Sequence, residues 1–414
     1  MKKQIISFVL GILAMTNLHA RQKEISLKEK SVIVKSLSEN ILETYIDLEI
    51  AKKMTSELNA NLKSSRYKSI SSADEFSKVV TNDLQKISHD LHLKLNFEPK
   101  RIAQSKRTMP EEMKMKMEKM MALKMAEINY GFTEVKILNG NIGYLNLRMF
   151  ADIDLAREAA TAAMNFLSNT KAILIDLRTN GGGVPSMMQL LSSYFTGADP
   201  VVLSDFYERK TDSKTQLLTF PNIDGKRMTN TPLYILTSKN TFSAAEAFTY
   251  SLKHLDKAIV VGEVTKGGAN RTKRINLDDN FSVSMPYIQA IHPVTKSNWE
   301  GTGVQPTIKT TEKEAFVRAY IAAILKIANG KEQTILNAVG YDFLKEKSIE
   351  EALIVFQENV KLFPNDANSW DSLGEAHFYK RDKENALKAY EKALALDPSS
   401  ASAKKMIEKL KSIQ

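Results

Sequence analysis

Two short segments of this chain combine residues suited to acyl transfer. Thr241-Phe-Ser-Ala-Ala-Glu246 directly follows the apolar run 233–236 and opens a helical pattern. A serine at a strand-to-helix turn is exposed, lies at the positive end of the helix, and is followed by an N–H that can hold an oxyanion. The same residues also fit a helix cap, with Ser243 and Glu246 as the two ends of a capping box. Asp176-Leu-Arg-Thr-Asn-Gly-Gly-Gly183 ends a second apolar run. Successive glycines there let backbone N–H groups turn toward an anion or a developing oxyanion. No Gly-Lys-Ser/Thr follows and the glycines lack dinucleotide spacing, which argues against a nucleotide loop. A nucleophilic serine needs a base. Of the 6 histidines, His19 falls in the amino-terminal apolar segment, His254 on the helix after the serine and His377 near the carboxyl end. That leaves His89, His92 and His292, with Lys266 of Gly262-Glu-Val-Thr-Lys-Gly-Gly-Ala269 as a lysine alternative. The chain has no cysteine, so a thiolate nucleophile, a disulfide scaffold and a Cys-ligated metal are excluded.

The elements that must position these residues alternate between strand and helix. Phe132 opens a strand to Leu138, Asn139-Gly140 makes a tight turn, and a second strand runs over 141–147. A helix over 152–168 leads to the strand 172–177 and a helix over 184–195; strand 232–236, helix 243–254 and strand 258–261 repeat the rhythm. Parallel strands with loops at their carboxyl ends are where α/β proteins build sites. Upstream, apolar spacing over about 24–96 reads as a small helical domain, and 97–131 as one helix. The stretch from Met109 to Met125 holds seven of the 17 methionines, expected to pack against a neighbouring domain. At the carboxyl end a period of 34 aligns Gly340 with Gly374, Ala352 with Ala386, Phe356 with Tyr390 and Pro364 with Pro398. This period resembles the tetratricopeptide repeat, with a closing helix over 402–413. Such a module holds a protein segment or serves only to stabilise and space its neighbour.

With 414 residues, 43% hydrophobic and 26% charged, the chain is globular and long enough for several domains. The net charge of +10 is carried by scattered lysines and points to no nucleic-acid partner. Met1-Lys2-Lys3, an apolar run over 5–15 and Leu18-His19-Ala20 have the order of a secretory signal. The run is short for a permanent anchor, although Leu18 is bulkier than the usual residue two places before a cleavage point. The expectation is a mature protein in the periplasm or secreted, without a stable membrane span. The domains expected are a signal over 1–20, a helical domain over 21–130, an α/β domain over 131–330 and helical repeats over 331–414.

Four ordered blocks together resemble the tail-specific, or C-terminal processing, serine protease family. They are Asp176-Leu-Arg-Thr-Asn-Gly-Gly-Gly183, Thr241-Phe-Ser-Ala-Ala-Glu246, Val261-Gly-Glu-Val-Thr-Lys-Gly-Gly-Ala269 and Trp299-Glu-Gly-Thr-Gly-Val-Gln-Pro306. Asp83-Leu-Gln-Lys-Ile-Ser-His-Asp-Leu-His-Leu-Lys-Leu95 is similar to the branch that includes interphotoreceptor retinoid-binding protein and the tricorn core. The likeness implies an α/β core of the ClpP/crotonase-like class between the amino-terminal helical domain and the all-α repeats. It implies Ser243 as nucleophile, His92 as base and Glu300 as the acid that keeps the imidazole in the useful tautomer. It also implies oxyanion donors at Gly182 and Ala244, with Gly183 an alternative to Gly182. The Gly-Lys-Gly block of the lysine-using branch places its lysine on Gly268 here, and Thr307 stands where the family usually has Asp. The mechanism so implied requires no cofactor or metal and acts on a polypeptide substrate. Its rival is a non-catalytic binding protein of the same fold for apolar ligands or peptides.

Overall fold

The computed structural model describes residues 23–64, 66–106 and 110–412, so the expected signal at 1–20 lies outside the described residues. Two units divide the chain. One holds 23–88, 93–106 and 274–285; the other holds 89–92, 110–273 and 286–412.

In the first unit α1 (Leu27–Thr44), α2 (Leu48–Lys63) and α3 (Ala73–Ser88) are joined by β1 (Lys94–Phe97) and α4 (Pro99–Lys106). Ser26 and Glu29 close a capping box at the start of α1. Leu37, Ile41, Met54, Leu58, Phe76, Val80 and Leu84 fill one core with Leu95, Phe281 and Val283. Lys30 is buried there and its Nζ donates to the carbonyls of Tyr67, at 2.8 Å, and Ile70. Two expectations are corrected. Residues 94–97 form a strand, paired antiparallel with 281–284. Among the described residues of 97–131, α4 and a separate α-helix over Glu111–Glu127 replace the single helix, with Pro110 starting the latter because its ring fixes φ and its missing N–H is no loss there.

The second unit runs through α5 (Glu111–Glu127), β2 (Phe132–Leu138), β3 (Ile142–Leu147), α6 (Ile153–Leu167), β4 (Ala172–Asp176) and α7 (Pro185–Ser193). It continues with β5 (Val202–Glu208), β6 (Ser213–Leu218), β7 (Leu233–Thr237), α8 (Ala244–His254), β8 (Ala258–Gly262), the parts of β9 (Arg271–Asn276) and β10 (Phe281–Ile291) that lie outside 274–285, and β11 (Ile308–Lys309). Helices α9 (Glu312–Ile327), α10 (Glu332–Lys345), α11 (Ile349–Leu362), α12 (Ala367–Tyr379), α13 (Lys383–Leu396) and α14 (Ala401–Ser412) complete it. A six-stranded sheet has the order β11-β8-β7-β4-β3-β2, parallel except for the β2–β3 hairpin. Its central strands are buried on both faces, which is why they read as continuous apolar runs. Leu145, Ile173, Ile175, Leu233 and Ile235 face α6, α7 and α8. The alternating set Tyr144, Leu174, Tyr234, Leu236 and Val261 faces α9 and the carboxyl-terminal helices.

The repeat residues act as their types dictate. Gly340 leaves room for the ring of Phe356 and Gly374 for that of Tyr390, so paired helices cross closely. The methionine-rich segment behaves otherwise than expected. Helix α5 has no buried residue, and Met113, Met115, Met117, Met120 and Met121 are all exposed. Its methionines and charges are distributed around the whole helix, so no apolar stripe forms for a neighbour to cover.

Candidate active site

The register of β4 against β7, with Asp176 opposite Leu236, brings the loops after both strands side by side. Thr241 Oγ1 donates to Leu177 O at 2.8 Å and Phe242 N–H to Asn180 O at 3.1 Å. Beneath them Asp176 accepts from Arg178 Nε at 2.9 Å and Tyr144 Oη at 2.9 Å, fixing the strand end from which the glycine loop leaves. Burial, reinforced by the Asp176 charge, pushes the Tyr144 hydroxyl pKa up.

Ser243 immediately precedes α8 with φ 56° and ψ −120°, a backbone conformation that a side-chain-bearing residue adopts only under strain. Its N–H donates to Glu246 Oε2 at 2.8 Å, the Glu246 side of the expected capping box. Its side chain at the same time lines a cavity of about 390 Å³. Ala244 N–H is at the first helical position, where no intrahelical acceptor exists.

The glycine loop revises one expectation. Gly182 N–H donates to Asn180 Oδ1 at 2.8 Å and is therefore committed. Gly183, the alternative, pairs with Phe150 so that Phe150 N–H reaches Gly182 O and Val184 N–H reaches Phe150 O. That parallel bridge leaves the N–H of Gly183 itself directed away from Phe150. Gly183 lines the cavity with Ser243 and Ala244. A methyl group there would come within 2.0 Å of Phe150 O, and φ is +145°, so glycine is required.

Of the candidate bases, His92 lines the cavity; His89, His292 and Lys266 do not. The His92 ring lies 4.6 Å from that of Phe242, the residue before the serine. Lys266 sits over the Phe242 ring at 5.1 Å, and His292 is buried against Tyr250 and His254, where burial drives its pKa down to about 4.

Glu300 is brought to the same place. Its Oε2 accepts the N–H groups of Ala269 at 2.6 Å and Asn270 at 2.9 Å, while Oε1 is buried without a hydrogen-bond donor among the described residues. Sequence reasoning passed over a third group, Asp90. It is fully buried; Oδ1 accepts His92 N–H at 2.9 Å and lies 3.8 Å from His92 Nδ1, and Oδ2 accepts Asn270 Nδ2 at 3.0 Å. The Asp90 and Glu300 carboxylates and the His92 imidazole each present an atom within 4.8 Å of the other two. Two unit charges at about 5 Å repel by roughly 3 kcal/mol at an effective dielectric of about 20. Burial first, and then the Asp90 charge, push the Glu300 pKa up to about 8. The Asp-x-His spacing was the available signal for Asp90.

Glu246 ties these parts together. Fully buried, it accepts from Thr265 Oγ1 at 2.5 Å, Gly267 N–H at 2.6 Å, Gly268 N–H at 2.9 Å and Ser243 N–H. The next two residues of that loop, Ala269 and Asn270, are those that hold Glu300. The remaining cavity wall is largely apolar, with Met188, Phe206, Leu217, Ala290 and Trp299. Arg271 lies over the Phe206 ring at 5.2 Å.

Residues 141–310 match the model of peptidase family S41, 18–130 match the N-terminal domain of peptidase S41 in eukaryotic IRBP, and 367–400 match the tetratricopeptide repeat. The chain is similar to the carboxy-terminal processing protease CtpB of Bacillus subtilis, 24% identical over 245 residues, 56% of this chain and 49% of that protein. It is similar also to a CtpA-like serine protease of Staphylococcus haemolyticus, 24% identical over 271 residues, 65% of this chain and 51% of the other. It thus spans about half the length of these relatives. A solved structure from Parabacteroides merdae shares the fold, with a TM-score of 0.51 and 17% identity over 72% of this chain and 96% of its own. With an IRBP-type amino-terminal domain and a tetratricopeptide repeat beside its α/β core, the chain belongs to peptidase family S41, a family of serine peptidases.

Proposed function

We propose that the protein is a serine peptidase that hydrolyses polypeptide segments outside the cytoplasm. The observation that carries this reading is the strained Ser243 lining one cavity with His92, Gly183 and Ala244. His92 takes the Ser243 proton, the alkoxide attacks a peptide carbonyl, and the N–H groups of Gly183 and Ala244 hold the oxyanion. His92 then protonates the leaving amine, and water hydrolyses the ester by the reverse path. A buried carboxylate charge beside the ring supports the imidazolium that forms. The apolar cavity wall suits an uncharged side chain next to the scissile bond. The extracytoplasmic site rests on the sequence of residues 1–20; no helix of the described residues is long and apolar enough to cross a membrane. The carboxyl-terminal repeats suit a protein segment as partner.

Ser243→Ala is expected to lower hydrolysis of an unfolded protein by at least about 10³-fold, with folding unchanged. A fluorophosphonate should label the wild type on Ser243 and leave His92→Ala almost unlabelled. Hydrolysis that survives Ser243→Ala would remove this residue from the reaction, and folded wild-type protein that takes no label would favour a binding protein for apolar ligands or peptides.

A further inference from the structure

We infer that Asp90 is the charged acid that positions His92, and that Glu300 stays protonated beside it, the two carboxyl groups sharing a single negative charge. This rests on the serine-peptidase reading and specifies how its base is held. The hydrogen bonds divide the two acids. Both oxygens of Asp90 receive donors, one of them the His92 backbone itself. Glu300 receives both of its donors on Oε2, and its Oε1 is buried with none among the described residues. A buried carboxylate oxygen without a donor is costly, and protonation removes the charge that would need one. Repulsion within 4.8 Å and the raised pKa of Glu300 act in the same direction.

The proposal gives the two acids opposite behaviour. Glu300→Gln places a neutral donor-bearing group where the protonated acid was. Asp90→Asn removes the charge that faces the imidazole at 3.8 Å. An opposite charge this close raises a histidine's pKa by roughly one unit or more, so its loss lets the imidazole stay neutral to lower pH. The other charged and titratable groups around the cavity, Glu246, Lys266, Arg271 and His89 against Gly301, are common to both variants.

The experiment measures fluorophosphonate labelling against pH, together with NMR titration of the His92 ring, in the full chain. Expected for Asp90→Asn are labelling at least about tenfold slower at neutral pH and an acidic limb about one pH unit lower. For Glu300→Gln we expect labelling within about threefold of wild type and an unmoved limb. Slow labelling and a shifted limb in Glu300→Gln, with Asp90→Asn near wild type, would overturn the assignment. Asp90→Asn also sets two amide groups against each other at Asn270, so the swap Asp90→Asn with Asn270→Asp restores a carboxylate–amide pair with the charge displaced. Wild-type behaviour of the swap would show Asp90 to be structural and defeat the proposal. If the wild type takes no label at all, the peptidase reading fails, yet the His92 titration in the same variants still decides which acid carries the charge.

Discussion

Ser243 holds its side chain at φ 56° and ψ −120°, and that strain is separable from the hydroxyl. Residues in such regions cost of order 1–3 kcal/mol and persist only where surrounding contacts over-determine them. Here Glu246 grips the Ser243 N–H and the Phe242 N–H is bonded to Asn180 O. Ser243→Ala and Ser243→Gly both remove the hydroxyl, but only glycine relieves the backbone. We therefore expect the glycine variant to be more stable than the alanine variant by about 1 kcal/mol in chemical denaturation, both being inactive. Equal midpoints would mean that the turn is not strained. Ser243, His92 and Glu300 were legible because each lies in a short block with its own pattern. Asp90 lies in the same Asp-x-His block, yet its role depends on Glu300 and Asn270, which the fold brings from far along the chain. Gly182 and Gly183 look alike in the sequence, and only the Asn180 side chain, by occupying the Gly182 N–H, tells them apart.

Three elements converge on one carboxylate. Glu246 leaves the first turn of α8 and accepts from the loop 265–268, whose continuation presents N–H groups to Glu300. The turn that holds the serine and the loop that holds the acid are thereby fixed by the same side chain. Gly268 of that loop lies against the rings of both Phe242 and His92, so a displaced loop moves the base as well. Glu246→Gln retains the shape but turns an amide N–H2 toward backbone N–H donors. We expect a loss of about 2–3 kcal/mol of stability and labelling at least about tenfold slower, although Ser243 and His92 are untouched. A Gln variant that melts and labels like wild type would show that the four donors are satisfied without the charge. The sequence shows Glu246 only as the partner of a helix cap. Its links to 265–268 are tertiary and leave no local pattern, just as the exposure of α5 could not be inferred from methionine content alone.

The carboxyl-terminal helices are more than an appendage to the peptidase core. Leu336, Val339, Phe343, Val355 and Phe356 belong to the same buried cluster as Tyr144, Leu174, Tyr234 and Leu236 of the sheet and Ala319, Tyr320 and Ile324 of α9. The sequence marked this region as a repeat by its period and placed a boundary at 331, but a period describes contacts within the module. The cluster that joins it to the sheet has no period. Each large apolar side chain exposed by truncation forfeits about 1.5–3 kcal/mol, and several are involved, which rivals the whole stability of a typical domain. A chain ending at residue 330 should therefore be insoluble or melt at least about 10 °C lower. A chain ending after α11 keeps Leu336, Phe343, Val355 and Phe356 and should fall much less, because most of the helices removed pack on one another through Tyr390, Ala393, Ala403 and Ile407. Calorimetry distinguishes the alternatives: one transition in the intact second unit, lost or shifted in the shorter truncation, indicates a shared core. Two independent transitions, with the first unchanged when 331–412 are removed, would make the repeats a separate module and restore the boundary expected from the period.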